Sequence, residues 1–132
     1  MIHSIGLIRS VLTNTEDAPL QGDEGGYDAW LEMHPEFAPA LEGINIGDEL
    51  IILTWLHLAN RAVLQVHPRG DPDRPVMGVF ATRSQDRPNP IGLHRVSIIG
   101  IDGTRLNVTP LEAVDGTPIV DIKPVLSQIA ER

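Results

Sequence analysis

Short apolar runs at close spacing, separated by turns bearing proline and glycine, leave this chain few ways to fold other than as a mainly β domain. Ile2 to Ile8 reads as a strand. Leu50 to Leu58 is nearly continuous Leu and Ile with Trp55, as in a strand buried on both faces. Arg61 to His67 alternates, with Ala62, Leu64 and Val66 facing one way, and Val76 to Thr82 reads as a further strand. His94 to Ile101 and Thr104 to Thr109 form an expected hairpin around Asp102-Gly103, a favoured tight-turn pair. Between these runs, 13–28 and Pro68 to Pro75 read as loops, and Asp115 to Pro118 as a turn. Ser84 to Pro90 cannot be regular structure, because two prolines and the residues before them exclude a helix or a central strand. Pro35 to Leu41 allows one or two helical turns, and Pro124 can open a short C-terminal helix ending near Arg132. The expected architecture is a single-domain β-barrel over residues 1–132 with short helical turns.

Helices are too few for alternating β-α-β units, and no G-x-G-x-x-G follows a strand and opens a helix. A Rossmann architecture is therefore disfavoured, and any nucleotide-like cofactor needs a differently built site. The chain has 132 residues, enough for one real core, and no cysteine, which excludes disulfides and thiolate metal sites. No stretch approaches the ~20 apolar residues needed to span a bilayer. Met1 to Ile8 lacks the basic flank and long apolar run of a secretory signal. A soluble cytoplasmic protein is expected, with no membrane partner. The histidines show no metal-like spacing, so no metal site is expected.

The net charge of −8 argues against a nucleic-acid partner until its distribution is considered. Residues 1–60 hold ten acids against Arg9 alone, a net of −9. Residues 61–95 hold Arg61, Arg69, Arg74, Arg83, Arg87 and Arg95 against Asp71, Asp73 and Asp86, a net of +3. Arginine suits forked recognition of phosphate or carboxylate. These six arginines either pair with the acidic half or face an RNA, with Arg69 and Arg74 as phosphate contacts and Arg87 serving RNA, base or cofactor.

Two segments combine prolines, a glycine and charges between apolar strands: FATRSQDRPNPIGLH, Phe80 to His94, and VDGTPIVDIKPVL, Val114 to Leu126. Rigid irregular backbone in such places positions functional side chains. Together they closely resemble the signature segments of the TsaA-like family, also called YaeB-like or TrmO-like. Ile5-Gly6 with Ser10, Pro19-Leu20-Gln21-Gly22 and Trp55-Leu56-His57 resemble further family elements, so the likeness runs from about Ile5 to Leu126. Leu20 stands where the family usually has a basic residue, Val11 where many members have proline, and Val125 where tyrosine is frequent. Longer members carry a C-terminal domain beyond this region.

The resemblance implies a β-barrel methyltransferase that uses S-adenosylmethionine. It further implies N6-methylation of a threonylcarbamoyl-modified adenosine beside the tRNA anticodon. A homodimer with the cofactor near the subunit interface is implied as well. Carried over residue by residue, the cofactor contacts fall on Pro19, Leu20, Gln21, Leu56, His57, Arg83, Leu93, Glu112, Ala113, Val114 and Asp115. Arg83 fits a carboxylate fork or a structural ion pair. Leu93 packs on an adenine or on any neighbour. His57 is a cofactor contact or an ordinary hydrogen-bonded histidine. Asp115-Gly116 makes a turn or shapes the cleft, as do Asp121 and Lys123 if they are not a simple ion pair. An acylated N6 is a poor nucleophile, so its deprotonation needs assistance. Asp86 is a candidate for that role and Asn89 for orienting N6–H, against plain roles in capping and holding the loop. The alternatives to an RNA methyltransferase are a methyltransferase for a small molecule or another modified base, and a non-catalytic adenosylmethionine-binding module.

Overall fold

The computed structural model of the protein describes residues 1–12 and 27–126. Six antiparallel strands pair in a closed order: β1 (Gly6–Arg9), β2 (Ala29–Met33), β7 (Arg105–Thr109), β6 (Ile91–Asp102), β3 (Glu49–Trp55) and β8 (Pro118–Pro124), with β8 returning to β1. β4 (Gln65–Val66) and β5 (Met77–Gly78) form a separate two-stranded ribbon. Every strand of the closed sheet sends alternate side chains inward. Ile8, Leu31, Ile52, Val96, Ile98, Leu106, Val108 and Ile119 meet there, each at most 1% exposed. Fully burying such side chains stabilises by about 1.5–3 kcal/mol apiece before entropy is counted. Among the described residues no helix is long and apolar enough to cross a membrane.

The helical turn at Pro35–Leu41 forms as expected, as a 3-10 helix, and Ser84 to Pro90 is irregular. The β6–β7 hairpin also forms, although its two-residue loop is Gly103-Thr104, closed by Asp102 opposite Arg105. Gly103 sits at φ +62, a backbone region glycine enters without strain.

Several elements differ from the sequence reading. β3 is not buried on both faces: Leu50, Ile52 and Thr54 are buried, while Ile51, Leu53 and Trp55 are half-buried on the outward side. The runs expected at 61–67 and 76–82 shrink to two-residue strands, because Leu64, Val76 and Met77 find no face to cover them and remain exposed. β2 falls where the sequence predicts no element, and β8 fills the gap between the turn expected at Asp115 to Pro118 and the helix expected from Pro124. In β8, Pro118 opens the strand and Pro124 ends it, positions where a missing N–H costs little. Pro124 therefore does not begin a helix; the remainder of that expected helix, 127–132, lies outside the described residues, as does 13–26 of the expected loop.

Candidate functional site

The first motif leaves the two-stranded ribbon through a 3-10 turn at Val79–Ala81 and runs to the start of β6. Its irregular backbone is fixed by side chains. Arg87 donates to three carbonyls: Val79 at 2.8 Å, Ser84 at 2.9 Å and Thr82 at 3.2 Å. Thr82 Oγ1 accepts from Ser84 N–H, and Ser84 Oγ accepts from Asp86 N–H. The two prolines donate nothing and serve as acceptors: Pro88 O takes Arg61 Nε–H at 2.7 Å, and Pro90 O takes Leu56 N–H at 2.8 Å. Arg61 also donates to Asn89 Oδ1 at 2.9 Å and lies over the Trp55 ring, 5.1 Å from its centroid. Asp86 Oδ1 accepts Asn60 N–H at 2.8 Å. These bonds knit the loop to the segment 55–61 that follows β3.

The second motif is clamped to the end of β1. Ser10 Oγ donates to Ala113 O at 2.6 Å, and Asp115 Oδ1 accepts Ser10 N–H at 3.0 Å. Arg9 pairs with Asp115 at 3.7 Å. Thr117, itself buried, donates through its hydroxyl to Val114 O at 2.6 Å. Gly116 adopts φ +86, so the Asp115-Gly116 turn needs a residue tolerant of the left-handed region. Asp121 and Lys123 form an exposed ion pair at 2.9 Å.

Between the two motifs lies an open cleft holding about 340 Å³ of empty space, solvent side included. It is lined by Leu56 to Ala59 on one side, Gln85 on another, and Glu112 to Val114 with Thr117 on a third. Gly92 sets the position of Leu56. A Cβ there would collide with Thr54 Oγ1 and come within 2.9 Å of His94 Nε2 and 3.1 Å of Leu56 Cδ2. Thr54 Oγ1 and His94 Nε2 are hydrogen-bonded at 2.9 Å. Burial lowers the His94 pKa to about 4, so the ring is neutral at physiological pH.

Of the residues singled out in the sequence, the fold brings Leu56, His57, Glu112, Ala113 and Val114 together as cleft lining. Arg83 lies two residues from Gln85, exposed and with no side-chain partner among the described residues. Asp115 lies beside the cleft and holds the end of β1. Leu93 is elsewhere, on the outward face of β6 opposite Leu53, and 51% exposed. Asp86 and Asn89 hold backbone and Arg61, and the Arg87 guanidinium bonds within its own loop. Arg69 and Arg74 are exposed in the segment between β4 and β5, and neither lines the cleft. Pro19, Leu20 and Gln21 lie outside the described residues. Sequence reasoning missed Leu58, Ala59, Gln85 and Thr117 in the cleft, and the Thr54–His94 pair beneath it. A threonine and a histidine on the inward face of otherwise apolar strands were the available signal for that pair. Among the described residues no cluster of His, Asp or Glu can hold a metal ion.

The cleft chemistry fits a sulfonium donor with a nucleoside end: apolar wall, a Glu112 carboxylate oxygen shielded from bulk solvent, and an exposed arginine, Arg83, two residues along the chain from Gln85. The family model described as "tRNA-methyltransferase O N-terminal domain" matches residues 7–131. A "Probable S-adenosyl-L-methionine-binding protein" of Methanothermobacter thermautotrophicus is 41% identical over 97% of this chain and 91% of its own length. One of the same description from Archaeoglobus fulgidus is 45% identical over 97% of this chain, which spans only 34% of that protein. A crystal structure of TrmO from Pseudomonas aeruginosa superposes with a TM-score of 0.75 at 30% identity, covering all of this chain and 60% of that one.

Proposed function

This chain belongs to the tRNA-methyltransferase O N-terminal domain family, and on that premise we propose that it is an S-adenosylmethionine-dependent methyltransferase acting on N6 of an adenosine in tRNA. The observation that carries this reading is the convergence of two separate motif segments on one cleft, in a chain whose relatives are named as S-adenosylmethionine-binding. The whole chain acts as one domain in this reading.

The donor supplies a methyl carbon made electrophilic by its sulfonium. Leu56, Ala113 and Val114 give it apolar wall, Arg83 a fork for its carboxylate, and Glu112 a negative group toward its positive end. Much of the acceleration in such a transfer comes from positioning. The bonds that lock Thr82 to Pro90 serve that purpose by fixing the cleft rim before substrate arrives. For the acceptor, a threonylcarbamoyl-modified adenosine beside the anticodon, Asp86 has its Oδ2 outside the bond to Asn60, from which to receive the N6 proton. Asn89 orients the base once Arg61 shifts.

The active form is a homodimer. Ile51, Leu53 and Trp55 of β3 adjoin Ile91 and Leu93 of β6 on the outward face, where Ile91 and Leu93 are 45% and 51% exposed. A continuous apolar face of this kind is what a two-fold partner covers. It would bring Leu93, remote from its own cleft, to a subunit boundary.

The deciding experiment incubates the protein with donor and with tRNA from cells lacking it, followed by mass spectrometry of the nucleosides. One methyl gained on the modified adenosine supports the reading. Donor binding without transfer to any RNA, or transfer only to small molecules, refutes the tRNA activity.

A further inference from the structure

Gln85 is a cleft residue without a role in the reading above. Its neighbours fix it from both sides. Ser84 is held by Thr82 Oγ1 and by Arg87, and Asp86 by Ser84 Oγ and Asn60. The Gln85 side chain is exposed toward the cleft and has no hydrogen-bond partner among the described residues. A polar group on a locked backbone, presented to a cleft and unused within the fold, is a recognition element in form.

The chemistry of the amide narrows what it recognises. It carries a donor and an acceptor side by side. With Gln85 the cleft is lined by apolar Leu56, Leu58, Ala59, Ala113 and Val114, and by polar His57, Glu112 and Thr117. Its apolar part suits a flat ring, and Glu112 suits the donor's positive end. A 6-aminopurine is one ring that offers an N–H donor beside an acceptor: its N6–H donates to the amide oxygen while its N7 accepts from the amide NH2. Resting on the reading that this cleft takes the adenosyl donor, we infer that the Gln85 amide reads the N6/N7 edge of the donor's adenine and sets base specificity for the cofactor. The acceptor adenosine is the less suitable source of that edge, because its N6 must stay free to react.

Calorimetry with S-adenosylhomocysteine, its inosyl analogue and its 7-deaza analogue tests this on the intact protein. Wild type is expected to bind the adenosyl compound about tenfold or more tightly than either analogue, the discrimination one bidentate pair supplies. Gln85→Ala and Gln85→Met are each expected to weaken the adenosyl compound about tenfold and to lose the discrimination, with unchanged thermal midpoints because the side chain is exposed. Gln85→Met keeps length without the amide, so a methionine variant that binds like wild type overturns the inference. So does a wild type indifferent to the base. A raised KM for RNA with unchanged donor affinity also overturns it, because the edge read would then be the acceptor's. Methyl transfer without base discrimination defeats this inference alone. Base discrimination without methyl transfer leaves it standing and defeats the activity proposed above. Failure of wild type to bind any of the three compounds removes both.

Discussion

Replacing Arg87 with alanine separates a structural arginine from an RNA-facing one. The guanidinium is half-buried and donates to three carbonyls spread over Val79 to Ser84. A hydrogen bond from a charged donor contributes about 1.5–3 kcal/mol net. The three do not add, since one side chain makes them all, and water reaches some of the freed carbonyls. The loss worked from the geometry is therefore about 2–3 kcal/mol. For a chain of this length, about 3–5 °C of thermal midpoint goes with each kcal/mol, so Arg87→Ala should lower the midpoint by about 6–15 °C. Arg87→Lys keeps the charge but not the fork, and should recover only part of that. Amide exchange should quicken around Thr82 to Asp86, and donor affinity should fall, because Arg83 sits between the bonded carbonyls of Thr82 and Ser84 and Gln85 directly follows Ser84. If Arg87→Ala unfolds and exchanges like wild type while only the KM for tRNA rises, the argument is refuted. Arg87 is then an RNA contact, as its charge alone suggests.

Arg83→Ala should weaken S-adenosylhomocysteine binding about tenfold by calorimetry without moving the thermal midpoint, since no described residue depends on that side chain. Leu93→Glu should convert a dimer to monomers in light scattering; a monomeric wild type with donor present counts against the dimer itself. His94, with its pKa lowered to about 4, contributes stability that is fully present above its unfolded value of 6.5 and is lost as pH falls from 6.5 toward 4. Over that window, urea midpoints should show wild type losing up to about 3 kcal/mol relative to His94→Gln, and parallel pH profiles would show that the ring is not buried neutral. The double change Arg69→Ala, Arg74→Ala should lower the salt slope of tRNA binding by about two and leave donor affinity intact; wild-type behaviour at every salt concentration removes those residues from the RNA face.

What the sequence made legible follows from which forces act locally. The irregular course of Ser84 to Pro90 was readable because a proline restricts its own backbone and its predecessor's wherever it stands. The Asp115-Gly116 turn and the hairpin at Gly103 were readable because glycine enters the left-handed region without strain. The strand at Ala29–Met33 was not recognised although Ala29, Leu31 and Met33 alternate as they should, because five residues after a long polar stretch are a weak signal. β8 was hidden by its terminal prolines, which break a strand only when a neighbour needs their N–H. The outward apolar residues of β3 read as core in the sequence, because a continuous apolar run does not show that one of its faces is only half-buried. For the site, the family resemblance pointed to Leu56, His57, Glu112, Ala113 and Val114 of the cleft's walls, but Gln85 lay inside a motif unnoticed. Its importance depends on where the locked loop aims it, which no spacing rule encodes.

The arginines show where charge reading stops and geometry takes over. Six of them in residues 61–95 gave the basic stretch a net of +3, and the surplus suggested a surface for phosphates. The fold engages at least four of the six, Arg69 and three more: Arg61 on Trp55, Pro88 and Asn89; Arg87 on its own loop; and Arg95 on Glu49 at 3.2 Å across β3 and β6. Two of those three build the cleft rim, because a loop with two prolines cannot complete its own hydrogen bonding and needs side-chain donors from outside the backbone. Arginine, with five donors in a rigid fork, supplies several at once. Part of the positive charge is thus a consequence of the motif's prolines and not of a polyanionic partner. Arg83 is the exception within the motif: it sits among the bonded carbonyls and bonds to none of them among the described residues. An arginine that the loop's own accounting leaves over, two residues from the cleft-lining Gln85, has its charge uncommitted among the described residues. That is the ground on which Arg83, more than the count of arginines around it, is proposed to meet the ligand.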